Sequence, residues 1–161
     1  MAFDVNNPYF RTKVMTASQE ELRLLLLEGC VRFLHEGREG LVSRDYEKSY
    51  LGFSQGKAII IELLNALRPE VAPDLCKNLS ALYTYMYTTL TEAVFAKDLT
   101  RVDEVIKLVE YERDTWVMLL EKIAAEKATA AGGPTPANHQ APKGFTDAGA
   151  VAMRPALSIR G

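Results

Sequence analysis

The chain has 161 residues, one domain's worth, with 19 Lys and Arg against 21 Asp and Glu and a formal charge of -2. A pI near 5.8 lacks the basic excess of a dedicated nucleic-acid binder. Apolar runs such as 24–27 and 58–61 stop at four residues, far short of the roughly 20 that cross a bilayer.

Residues 1–10 have neither the basic start nor the apolar stretch of a secretory signal, so the expected location is the cytoplasm. Residues 1–17 read as an N-terminal arm without a helix of its own, carrying Tyr9, Phe10 and Val14. A first helix is expected over about 19–41. Ser18 and Glu21 have capping-box spacing, in which hydroxyl and carboxylate each satisfy a backbone amide of the first turn. Gly37 and Gly40 mark its expected end. A second helix spans about 44–67, with Ser43 as cap and Pro69 beyond its end. A third runs over about 73–97 and a fourth over about 99–127, capped by Asp98. Long helices joined by links of a few residues must pack antiparallel. The expected fold is therefore all-α, an up-and-down four-helix bundle over 18–127.

Residues 128–161 differ in composition. They hold four of the seven prolines and five of the ten glycines, and their charged residues are Lys143, Asp147, Arg154 and Arg160, a net of +2. The first 127 residues then carry 16 basic and 20 acidic groups, a net of -4. Such a Pro/Gly/Ala-rich tail is expected to be disordered, because it has too little apolar surface to offset ordering entropy. Its apolar residues cluster near its end, at 151–159.

Catalytic, metal and cofactor constellations are absent from the sequence. His35 and His139 are the two histidines, and neither belongs to a paired ligand motif. Cys30 and Cys76 lack Cys-x-x-Cys spacing and read as reduced core thiols. No phosphate-binding glycine pattern is present. Gly29, Gly52 and Gly56 instead read as points of close helix approach. Arg113, one turn before Trp116, reads as a side chain packed on the indole face.

The apolar pattern is wider than a bundle needs. A bundle helix requires one apolar stripe. The third helix carries Leu75, Leu79, Leu82, Met86 and Ala93 on one face and Cys76, Tyr83, Tyr87, Leu90 and Val94 on an adjoining one. The second carries Tyr46, Tyr50, Phe53, Ile60, Leu64 and Leu67, widened by Ile59, Ile61 and Leu63. The first has four successive leucines. A surplus of this kind implies a groove for another polypeptide, a homodimer face, or a surface covered by the arm.

The stretch Tyr9-Phe10-Arg11-Thr12-Lys13-Val14-Met15-Thr16-Ala17-Ser18, leading to Leu22, Leu26 and Gly29, resembles the opening of the flagellin-specific export chaperone family, FliS. The likeness resumes at Asn78-Leu79, Leu82-Tyr83, Tyr85-Met86 and Leu90. It continues through Asp103-Glu104-Val105, Leu108, Arg113-Asp114 and Trp116, and covers about residues 8–124. Gln19, Leu27, Glu28 and Val94 stand where that family usually has Pro, Tyr, Asp and Asn. The resemblance implies a non-enzymatic cytoplasmic chaperone with no cofactor and no metal. Its implied partners are the C-terminal segment of flagellin and an export-gate component of the flagellar type III apparatus. The implied role is to prevent premature polymerisation and to assist delivery. A segment with amphipathic helical potential binds by laying apolar side chains into a groove. The candidate contact residues are Tyr9, Phe10, Val14, Leu25, Tyr46, Tyr50, Tyr83, Met86, Tyr87 and Leu90. The alternative is a helical scaffold or adaptor whose apolar face serves homodimerisation.

Overall fold

A computed structural model describes residues 6–133. Five helices follow in order: α1 (Pro8–Thr16), α2 (Gln19–Ser43), α3 (Tyr46–Asn65), α4 (Pro73–Ala96) and α5 (Leu99–Ala131). No strand occurs among the described residues. Local chemistry explains most of the boundaries. Ser18 Oγ accepts from the Glu21 amide at 3.2 Å and the Glu21 carboxylate accepts from the Ser18 amide at 2.8 Å, so the capping box is formed. Asp98 caps α5 by accepting from the Arg101 amide. α4 opens on Pro73, whose missing amide costs nothing in a first turn. α2 and α4 are stopped by Arg44 and Lys97, both in the left-handed region, at φ 60° and 54°.

Four boundaries differ from expectation. The arm does form a helix, α1, because Asn7 accepts from the Tyr9 amide and Pro8 stands at its first position. Gly37 and Gly40 do not end α2; they lie inside it, buried against α3. Asp45, not Ser43, caps α3 by accepting from the Lys48 amide at 3.0 Å. α5 runs through Ala128, Thr129, Ala130 and Ala131, past the expected start of the tail. Alanine is the best helix former, so the helix outlasts its packed portion. Residues 134–161 of the expected disordered tail, with His139, lie outside the described residues.

α2 contacts α3 and α5, and α4 contacts α3 and α5, closing a ring of four antiparallel helices. Leu27, Cys30 and Leu34 of α2, Phe53, Ile60 and Leu63 of α3, and Val102, Val105 and Val109 of α5 meet at its centre. α4 supplies Tyr83, Met86, Leu90 and Ala93, and Cys76 is buried at its start. The two faces expected of α4 are therefore one seam, with Leu75 and Tyr87 rotated out of it. Both cysteines are free and buried. Burial pushes the Cys30 thiol up to about 12, with the Glu112 charge adding to it.

Candidate functional site

α2 and α3 meet differently at their two ends. At one end a methyl added to Gly52 would lie 2.6 Å from Gly37 Cα and from the Phe33 carbonyl oxygen, and one added to Gly40 would lie 2.9 Å from Ser49 Cα. Backbones touch there, and only glycine fits. Gly56 instead faces the Leu34 side chain, whose Cδ2 would lie 2.5 Å from an added methyl, while the nearest backbone atom stays at 3.9 Å. At the other end Gly29 has only ordinary contact with Ile59, at 3.5 Å, so close approach does not require it. There the helices part and leave an apolar trough of about 660 Å³. Leu22, Leu25, Leu26 and Phe33 of α2 form one wall, and Ile59 and Gln55 of α3 form the other. α1 lies over it, with Phe10 and Val14 turned into the lining.

A second concavity, of about 340 Å³, lies on the opposite flank of α3. Ile60, Ile61 and Leu64 of α3 and Tyr83, Thr84 and Tyr87 of α4 line it. The three successive isoleucines thus divide their work: Ile59 faces the trough, Ile60 the core and Ile61 the second groove. Lys57 stands over the Tyr87 ring at 5.6 Å, and Lys97 over the Tyr46 ring at 4.8 Å. Tyr46 and Tyr50 are exposed along this α3 edge.

The ten candidate residues separate into three sets. Phe10, Val14 and Leu25 converge on the trough. Tyr46, Tyr50, Tyr87 and Tyr9 are exposed, Tyr9 at 77%. Tyr83, Met86 and Leu90 lie in the core instead of on the surface: each is at most 1% exposed and packed among the other core side chains. Tyr83 also borders the second groove. The sequence reading missed Phe33, Gln55 and Ile59 as site residues. Leu22, Leu26, Gly29 and Phe33, spaced by three or four, were the available signal.

Polar ties fasten α2 to α5 along their length. At the trough end the Tyr83 hydroxyl donates to Glu112 and accepts from Arg23, joining α2, α4 and α5. Burial pushes the Tyr83 hydroxyl well above its ordinary range, and the Glu112 charge and hydrogen bond add to this against the opposing pull of Arg23. The side chain stacked on Trp116 is Arg23, 5.1 Å from the ring; Arg113 instead pairs with Asp114. Trp116 Nε1 donates to the Glu20 carbonyl at 2.8 Å. At the glycine-closed end Arg38 grips Asp103 with two nitrogens, one at 2.9 Å. His35 Nε2 lies 2.9 Å from Glu110 Oε1 at the surface. Among the described residues no group of three His, Cys, Asp or Glu is placed to hold a metal ion, and no helix is long and apolar enough to cross a membrane.

This fold is shared with a solved structure described as "Crystal structure of flagellar chaperone from bacteria". The TM-score is 0.60 at 18% identity, over 71% of this chain and 93% of that one. Residues 1–123 match the family model described as "Flagellar protein FliS". The chain is 29% identical over 120 residues to the flagellar secretion chaperone FliS of Bacillus subtilis (strain 168), covering 73% of this chain and 89% of that protein. It is 38% identical over 106 residues to that of Escherichia coli (strain K12), covering 64% and 76%. The ring of helices is thus that of a flagellar chaperone. The chain belongs to the FliS family, which comprises secretion chaperones and not enzymes.

Proposed function

We propose that this protein acts in the cytoplasm, holding the C-terminal segment of flagellin in the two grooves flanking α3, preventing its premature polymerisation and assisting its delivery to the export gate of the flagellar type III apparatus. The observation that carries this reading is the trough of about 660 Å³, walled by Leu22, Leu25, Leu26, Phe33 and Ile59. It is shaped for an amphipathic helix, whose apolar residues at three- and four-residue spacing would replace Phe10 and Val14. Tyr46, Tyr50 and Tyr87 extend the contact surface onto the second groove, each offering an apolar ring with a wet hydroxyl. α1 shields the trough when it is empty and gives way when an occupant arrives. Binding makes no bond and breaks none; it offsets the ordering cost of the cargo, typically about 2 to 5 kcal/mol or more.

Calorimetry with the organism's flagellin, with and without its C-terminal segment, tests the reading. Binding is expected only with the segment present, with a negative heat-capacity change. Leu25→Asp should weaken it by about tenfold or more, about 1.4 kcal/mol, while leaving the urea midpoint nearly unchanged. Hydrogen exchange in α1 should rise on binding. Equal binding of truncated flagellin would overturn the reading.

A further inference from the structure

The trough does not end where α1 ends. Through Phe33, Glu36 and Gln55 it adjoins a further hollow of about 370 Å³ lined by Asp45, Glu47 and Lys48. Glu36, Asp45 and Glu47 outnumber Arg32 and Lys48 along this stretch, and Lys48 already pairs with Glu39 at 2.7 Å. The whole is an apolar channel with a net acidic end. A ligand made for it combines apolar side chains with basic ones and has no carboxylate. The chain itself contains such a segment. Residues 151–160 carry Val151, Met153, Leu157 and Ile159 with Arg154 and Arg160 and no acidic residue. They lie within the 28 residues that follow Gly133. The 17 residues 134–150 that link Gly133 to the segment span at most roughly 3.3 to 3.6 Å each, about 60 Å in all. α5 covers about 45 Å from Asp103, at the closed end, to its C-terminus at 1.5 Å per residue, less than the reach of the linker, so the segment can reach the acidic end of the channel.

We propose that residues 151–160 dock in this channel in cis and act as a built-in competitor for its occupant. The competition itself rests on the flagellin reading; the docking does not. Weak intrinsic affinity suffices. A tether of this kind gives an effective concentration on the order of 1 mM, so a dissociation constant of about 0.1 mM fills the channel about 90% of the time and weakens a competing ligand about tenfold. Charge complementarity sets the direction, because the tail carries +2 against -4 on the first 127 residues.

The test compares the full chain with a full-length variant carrying Val151→Asp, Met153→Asp, Leu157→Asp and Ile159→Asp, each at two protein concentrations. Hydrogen exchange around Asp45, Glu47 and Lys48, which α1 does not cover, should be faster in the variant, and exchange in α1 slower as it reseats over the trough, equally at both concentrations. A flagellin C-terminal peptide should bind the variant about tenfold more tightly. Unchanged exchange with unchanged peptide affinity overturns the proposal and leaves the flagellin reading standing. A difference that grows with protein concentration also overturns it, since the occupant is then a second copy. Faster exchange with no peptide binding to either chain supports the docking and overturns the flagellin reading.

Discussion

The two ends of the α2/α3 pair are built from the same kinds of residue and do opposite things. At the Gly40 and Gly52 contacts the backbones close on each other, and the Phe53 ring seats against Gly37. At the Gly29 end Leu22, Leu25, Leu26 and Ile59 hold the helices apart, and a trough opens. The lesson is that glycine placement sets the splay of the pair, and the splay makes the groove. The polar ties differ in the same sense. The trough end is fastened from beneath by the buried Tyr83 with the part-buried Arg23 and Glu112 side chains, the closed end by the part-exposed Arg38–Asp103 pair.

Forcing the closed end apart gives the largest expected effect. Gly52→Ala puts a methyl against the backbone of Gly37 and Phe33, which cannot rotate away. A loss of about 3 kcal/mol is expected, at the upper end of ordinary overpacking, read as a lowered urea midpoint. If stability is unchanged, backbone contact does not set the splay. Loosening the trough end comes next. Tyr83→Phe removes the hydroxyl that bridges Arg23 and Glu112, while Arg23 Nε and Glu112 Oε2 are already buried without partners. A loss of about 2 kcal/mol is expected in the same titration. Gly29→Ala should go the other way. Its methyl meets Ile59 at an ordinary 3.5 Å, so the helix-propensity gain of up to about 1 kcal/mol is kept. Because Gly29 lines the trough, the same change should weaken flagellin peptide binding, and a stabilised variant with full affinity would show that cargo does not use this end.

The sequence shows the architecture more plainly than the site. Helix number, order and antiparallel packing follow from long periodic segments, short links, and caps such as Ser18 and Asp98. Glycines inside a helix are ambiguous. Gly37 and Gly40 carry the same signature as a helix stop, and only Gly52 and Gly56 on the next helix distinguish a close contact from an end. Rotation about α4 is equally hidden. Tyr83 and Tyr87 are four residues apart and chemically identical, yet one is core and the other surface, because the packed stripe 83, 86, 90 and 93 is fixed by neighbours far along the chain. α1 was obscured by its length, nine residues, with Asn7-Pro8 as its one clear start signal.

The smallest expected effect concerns the tie at the closed end and turns on pH. Arg38, by hydrogen bond first and by charge second, holds the Asp103 carboxyl below its ordinary range. A group whose pKa is depressed by folding contributes stability above its unfolded value, and that contribution is lost as pH falls through the folded value. The loss should therefore begin as pH drops toward 4 and be complete only well below it. Both side chains are more than a third exposed, so solvent screening holds the contribution to about 0.5 kcal/mol. Urea titrations of the native chain and of Asp103→Asn at neutral and acid pH isolate it. At neutral pH the native chain should be the more stable by that small margin, and in acid the two should converge. A gap between native and Asp103→Asn that persisted in acid would show that the carboxylate charge is not what ties α2 to α5 there, and that the two ends differ by packing alone.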